Sequence, residues 1–252
     1  GTTRRRIRLG RRTERRWTER RRIELVGDPV DSTLLESNLL DSSLLDSSLQ
    51  RLNGRRYDRA MSAWKPAPPT PSSMGDHSVR PLSTALDGKR VALVVCGGIA
   101  AMKMPLLART LRKHGARVTA IVTEEALRYV TADALEWSTE SPVVRRLSPA
   151  AEHLSDSAPF DAYLLPQATY NTINKIAHGI ADGPVTSTLA SALGRMERGE
   201  ASVLVCPTMH GTMHTSLLTE SLERLQRMGV ELIPPRDDYG KHNIPDDETL
   251  VT

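Results

Sequence analysis

The sequence predicts a doubly wound α/β domain, with a parallel sheet between two helical layers (α/β/α), and three observations carry that expectation. From Asp87 onward, short apolar runs alternate with amphipathic stretches, as repeated strand-helix units do. The first run, Arg90 to Cys96, is continuous rather than alternating, which suits a strand buried on both faces of a parallel sheet. Glycines stand at the joints, and 39% apolar content in 252 residues is enough for one sizeable core.

Each element follows in order. Arg90 to Cys96 reads as the first strand. Gly97-Gly98 then opens a stretch with Ile99, Met102, Leu106, Leu107 and Leu111 at helical spacing, which Gly115 stops. Pro105 lies inside it and should bend its first turns. Arg117 to Val122 is the second strand, and Glu124 to Val130 a short helix. Asp161 to Leu165 forms the third strand, followed by a helix from Thr172 to Ile180 and another within 186–198. Ala201 to Cys206 is the fourth strand, Met213 to Met228 a long helix, and Val230 to Ile233 the fifth strand. Right-handed crossovers put every strand-to-helix loop at one edge of such a flavodoxin/Rossmann-like sheet.

Residues 1–85 read differently, as a largely disordered tail ahead of a domain at 86–252. Residues 1–22 hold eleven arginines against two glutamates, more positive charge than the net +4 of the whole chain, so the body is mildly acidic. Residues 31–49 repeat every five positions, a period that matches neither a helix face nor a strand, although a short helix near 31–50 is allowed. Lys65 to Ser73 is a Pro/Ser linker. A nucleic-acid-binding arm is one reading of the tail, and a targeting segment a second, opposed by Glu14 and Glu19. The plainest is a leader without a role, with Met61 or Met74 starting the functional chain. No run reaches the ~18 apolar residues of a membrane span. Cys96 and Cys206 read as free thiols in a reducing, cytoplasmic setting.

Ligands of open α/β sheets bind outside the carboxyl ends of the strands. The loops that matter are therefore Cys96–Ala101, Thr123–Ala126, Pro166–Lys175 and Cys206–Met213. Gly97-Gly98 lets a backbone approach a phosphate, and the missing G-x-G-x-x-G favours a mononucleotide over a dinucleotide. A tight turn without a ligand is the plain rival.

These loops carry four ordered motifs: Gly98-Ile-Ala-Ala-Met-Lys103, Val122 to Val130, Pro166-Gln-Ala-Thr-Tyr-Asn-Thr-Ile-Asn-Lys-Ile-Ala177 with Gly179-Ile-Ala-Asp182, and Pro207-Thr-Met-His-Gly-Thr-Met213. In order and spacing they resemble the FMN-dependent cysteine decarboxylases, which act on phosphopantothenoylcysteine or on C-terminal peptide cysteines. The resemblance covers residues 87–252. It implies FMN against Gly97, Gly98, Ile99 and Ala100, with Thr123, Ala126, Pro166, Ala168 and Thr169 lining the flavin site. It implies a catalytic His153, eight residues before Asp161, and a catalytic Asn171 that also holds the substrate carboxylate. Met209, His210 and Met213, with Pro207, fall in a motif that closes over the substrate. The family assembles as trimers or dodecamers with flavin at subunit boundaries, so a homo-oligomer is expected, and no metal.

Plain alternatives stand beside these roles. His153 reads as a surface residue without the family match, Asn171 as a helix cap, the two cysteines as inert core thiols, and His210 with His214 as an incomplete zinc pair. Three positions depart from the family pattern. Gly98 replaces a phosphate-binding Ser, and His210 replaces an Asn. The stretch Pro234–Glu248 lacks the cysteine that supplies a proton in the reductive step, leaving Tyr239 or His242 as substitutes. A product left as the enethiol, a flavoprotein with a redox or regulatory binding role, and a flavin prenyltransferase-like enzyme are the competing outcomes.

Overall fold

A computed structural model describes residues 66–154 and 157–251. The Arg block, the five-residue repeat and the helix expected near 31–50 lie outside the described residues. The compact unit starts at Ser72. Ahead of the first strand, Leu82 and Leu86 donate backbone N–H groups to the carbonyls of Lys113 and His114 at 2.7 and 2.8 Å.

The elements are β1 (Arg90–Val95), α1 (Met104–Lys113), β2 (Arg117–Val122), α2 (Ala132–Thr139), β3 (Ala162–Ala168), α3 (Tyr170–Ala177) and α4 (Pro184–Glu197). They continue through β4 (Ser202–Pro207), β5 (Met209–His210), α5 (Ser216–Arg227), β6 (Glu231–Leu232), β7 (Arg236–Asp238), β8 (Lys241–Asn243) and α6 (Asp247–Val251). The main sheet runs β2-β1-β3-β4-β6, all parallel. A small antiparallel sheet, β5-β8-β7, stands beyond its carboxyl edge. After β1 the chain turns one way to β2, then crosses back to β3. The strand order therefore reverses between β1 and β3, where a crevice opens in such sheets.

Alternation along β1 divides the core. Val91, Leu93 and Val95 meet Met104, Leu107 and Leu111 of α1, together with Leu135 of α2. Ala92, Val94 and Cys96 meet Ile173, Leu189 and Leu218 of the opposite layer. Both faces are covered, which is why β1 is apolar from Val91 to Val95.

The structure corrects several expectations. Pro105 does not bend a helix, because α1 begins only at Met104 and places the proline in its first turn, where a missing N–H costs nothing. The residues ahead of it, Ile99–Lys103, form a separate 3-10 turn. Ile99, Met102 and Leu106 face outward at 68%, 59% and 67% exposure, since Ala101, Met104, Leu107, Ala108 and Leu111 occupy the buried stripe. Glu124–Arg128 is likewise a 3-10 turn. Helix α2 is absent from the sequence reading because its buried face carries Ser138 and Thr139, whose hydroxyls donate back to the carbonyls of Ala134 and Leu135 and hide the apolar period. The helix expected from Met213 starts at Ser216, after a 3-10 turn over Gly211–Met213. Among the described residues, no helix is long and apolar enough to cross a membrane.

Gly115 closes α1 with φ of 97°, and a Cβ there would collide with the Asp87 side chain and stand 2.9 Å from its backbone nitrogen. Gly115→Ala is expected to cost about 2 kcal/mol or more. Urea unfolding should show a lower midpoint at unchanged slope; an unshifted midpoint would contradict the packing described.

Candidate functional site

At the carboxyl edge between β1 and β3, the chain leaves Cys96 through two glycines. Gly97 lies against Glu125 so closely that a Cβ would overlap its side chain. Gly98 is extended, and a Cβ on it would stand 3.5 Å from both Gln167 Oε1 and Thr169 Cγ2. Backbone, not side chain, therefore forms this wall of the crevice. Gln167, at the end of β3, is fully buried and donates from Nε2 to the Cys96 carbonyl at 3.0 Å. Its Oε1 is a buried acceptor with no hydrogen-bond partner, an arrangement that costs stability unless a donor arrives. A hydroxyl series continues the wall. The Cys96 thiol donates to Thr172 Oγ1 at 3.2 Å, and Thr172 Oγ1 lies 3.2 Å from Thr169 Oγ1.

The loops after β3 and β4 form the other side. Thr169, not Asn171, is the N-cap of α3, so Asn171 stands exposed in the first turn, free of a capping duty. Tyr170 reaches across to Thr215 with hydroxyls 3.4 Å apart. His210 Nδ1 accepts the Thr212 backbone N–H at 3.2 Å. A backbone N–H can only donate, so the ring proton of neutral His210 sits on Nε2, a donor without formal charge. The β7–β8 hairpin is pinned above this loop by Gly211 N–H donating to the Gly240 carbonyl at 2.9 Å, a contact that a Cβ on Gly211 would block. A cavity of about 610 Å³ lies there, lined by Gly211, His214 and residues 237–242.

The structure brings Gly97, Gly98, Ile99, Ala100, Thr123, Thr169, Asn171, Met209, His210 and Met213 to this one edge. Ala126, Pro166 and Ala168 are there too, but buried beneath it. Thr123 spends its Oγ1 accepting the Ala126 N–H at 3.2 Å. His153 is elsewhere. The next residue, Leu154, accepts through its carbonyl from Arg195 at 2.6 Å, near the end of α4 that leads to the amino end of β4. His153 thus lies by the opposite edge of the sheet, half-buried, with its Nδ1 buried and without a hydrogen-bond partner. Sequence reasoning passed over Gln167, although a lone amide within Tyr163 to Ala168 was a visible signal.

This wall suits a planar, phosphate-bearing group: backbone free of side chains at one end, an unsatisfied amide oxygen and hydroxyls along the side. Among the described residues, no group of three or more His, Cys, Asp or Glu side chains could hold a metal ion.

Comparison with known proteins agrees with the fold. The family described as Flavoprotein matches residues 79–252. The chain is 36% identical over 174 residues to the coenzyme A biosynthesis bifunctional protein CoaBC of Thermococcus kodakarensis, covering 67% of this chain and 42% of that protein. It is 36% identical over 179 residues to the same-named protein of Escherichia coli, covering 66% and 42%. The chain thus spans about two-fifths of the length of these relatives. Two solved structures share the fold: the FMN-dependent cysteine decarboxylase SpaF (TM-score 0.57, 23% identity, 66% of this chain and 98% of that one), and a PPC decarboxylase mutant complexed with pantothenoylaminoethenethiol (TM-score 0.55, 22% identity, 65% and 92%).

Both cysteines are fully buried. Burial pushes the Cys96 thiol up to about 11, against smaller opposing effects from Thr172 and Thr169, and the Cys206 thiol up to about 12. Both stay protonated through neutral and mildly alkaline pH, so they are poor nucleophiles. Native protein is expected to resist iodoacetamide at pH 8 and to take up two equivalents once unfolded. Rapid native labelling at either position, read by peptide mass spectrometry, would refute this.

Proposed function

The chain belongs to the flavoprotein family, and from that premise we propose that it binds FMN and decarboxylates a cysteine-derived carboxylate, with phosphopantothenoylcysteine as its substrate. The coenzyme A names of relatives at 36% identity support that substrate over a peptide. The observation that carries the reading is the crevice at the strand-order reversal, where the bare Gly97-Gly98 backbone faces the unsatisfied Gln167 Oε1.

When bound, FMN supplies the two-electron oxidation of the carbon beside sulfur that lets the carboxylate leave. The protein's part is binding, orientation and proton handling. Gly97, Gly98, Ile99 and Ala100 would hold the phosphate or ribityl chain, and Thr123, Ala126, Pro166, Ala168 and Thr169 would line the flavin site. Asn171 holds the substrate carboxylate with a neutral amide. A full positive charge there would stabilise the carboxylate more than the departing CO2 and so slow the reaction. His210, with its proton on Nε2, adds a second neutral donor, and Met209 and Met213 exclude water.

His153 serves as acid and base for the thiol. Because it lies by the opposite sheet edge of its own chain, the crevice receives it from another copy, which makes a homo-oligomer, a trimer or dodecamer, part of the proposal. The outward Ile99, Met102 and Leu106 supply an apolar surface beside the crevice for that contact. A reducing cytoplasm suits the free thiols.

The purified protein is expected to be yellow with bound FMN and to release CO2 from phosphopantothenoylcysteine. Replacing His153→Ala should lower the rate by about 10²–10⁴-fold with FMN retained. Mixing His153→Ala with Asn171→Ala subunits should restore activity, since some crevices then draw an intact residue from each copy. Colourless protein that cannot be reconstituted with FMN sinks the reading, and failure of the mixture to recover activity sinks the shared crevice.

A further inference from the structure

One series of side-chain hydrogen bonds joins β7, β8, the loop after β4 and α5. His242 Nδ1 lies 2.5 Å from Asp237 Oδ1, and His242 Nε2 lies 2.6 Å from His214 Nδ1. His214 Nε2 lies 3.2 Å from the Thr219 hydroxyl. The two rings meet edge to face with centroids 4.9 Å apart.

The proton positions follow by elimination for neutral imidazoles. A carboxylate only accepts, so His242 carries its proton on Nδ1 and leaves Nε2 bare. His214 must then donate from Nδ1, which leaves its Nε2 as the acceptor of the Thr219 hydroxyl. That hydroxyl also lies 3.3 Å from the Thr215 carbonyl, so it can release the imidazole without losing every partner. His214 Nε2 is therefore the exchangeable end of the series. Its other end is fixed by a carboxylate, and His214 itself lines the cavity under the hairpin. Asp238, Tyr239 and Lys241 line the same cavity, and His210 stands on the adjoining loop.

Resting on the decarboxylase reading above, in which His153 takes the thiol proton, we propose that Asp237, His242 and His214 form a proton relay under the hairpin, with His214 Nε2 as the atom that delivers a proton to the enethiolate left after CO2 departs. In the loading direction an O–H bond of a solvent hydronium breaks and an N–H bond forms at His214 Nε2. The His214 Nδ1 proton passes to His242 Nε2, and the positive charge comes to rest on the imidazole that Asp237 holds. In reverse, after CO2 has left, the His214 Nε2–H bond breaks, the proton adds to the enethiolate, and His242 returns its proton to His214 Nδ1. No electron enters or leaves the protein in either direction. His242 and Asp237 act through His214, as positioning residues.

The test uses the full chain and the variants His214→Gln, His242→Gln and Asp237→Asn. Nitrogen-15 NMR of histidine-labelled, flavin-free protein should show a coupling across one imidazole-imidazole hydrogen bond that the His214→Gln and His242→Gln variants lose. With FMN and phosphopantothenoylcysteine, the two histidine variants should lower kcat by about 10²–10³-fold and Asp237→Asn by about 10-fold, with KM and FMN affinity within about twofold. Added imidazole should restore part of the activity of His214→Gly. A missing coupling, an unchanged kcat in His214→Gln, or an activity loss that merely tracks lost FMN overturns the relay alone. Wild-type protein that binds no FMN overturns the decarboxylase reading, and the relay's role with it.

Discussion

The pairing of β1 with β3 is the constraint on which the rest of the structure depends, and one amide holds its open end. The two strands run parallel through Val91–Leu93 and Ala162–Leu164, while their carboxyl ends must part to leave a crevice. Gln167 bridges that parting by donating to the Cys96 carbonyl. It gives a second donor to a carbonyl that also accepts the Gly98 N–H at 3.0 Å, and ties the Gly97-Gly98 turn to the end of β3. An apolar residue at 167 would leave that carbonyl with the Gly98 N–H alone and lose one buried hydrogen bond, at a cost of about 1 kcal/mol. It would also remove the oxygen that faces Gly98. The amide that holds the fold together here is also part of the wall that meets a ligand.

The fold was largely legible because burial on both faces writes β1 as an unbroken apolar run from Val91 to Val95, and later short apolar runs alternate with amphipathic stretches. What escaped was written in polar residues that turn inward. Ser138 and Thr139 satisfy themselves within α2, so the helix shows no apolar stripe. The partner of Gln167 lies 71 positions away, beyond any local pattern. Ile99, Met102 and Leu106 misled in the opposite sense. Their spacing is helical, but a separate 3-10 turn and a later helix start turn them away from the core. Along the candidate site, the glycine turns and the Asn171 loop could be placed by counting strands. The resemblance supplied a role for His153, and chain order already implied its separation from them, since a residue ahead of β3 enters at the amino edge while the crevice loops follow their strands.

The polar groups of the crevice are an amide at Asn171, hydroxyls at Thr169 and Thr172, and the His210 imidazole, whose Nδ1 accepts the Thr212 N–H. Two ion pairs, Arg112 with Glu140 and Lys89 with Asp161, stand at the opposite, amino edge. Asp161 also accepts the Arg90 backbone N–H, and that bond holds its carboxyl below the usual range. It clamps the amino ends of β1 and β3 much as Gln167 clamps the carboxyl ends. The contribution is full above the ordinary aspartate range and fades as pH falls through the lowered value.

Below its tip the hairpin is held by the side-chain bonds of Asp237, His242 and His214, while the tip itself is attached through its main chain, with Met209 paired to His242 and Gly211 bonded to Gly240. Such bonds are indifferent to which side chains the turn displays, provided position 211 stays bare. Tyr239, at the tip with φ of 51° and 89% exposure, can therefore be exchanged over generations without unfastening the segment. Molecules admitted beneath the hairpin could change by drift at its tip while the machinery below stays intact.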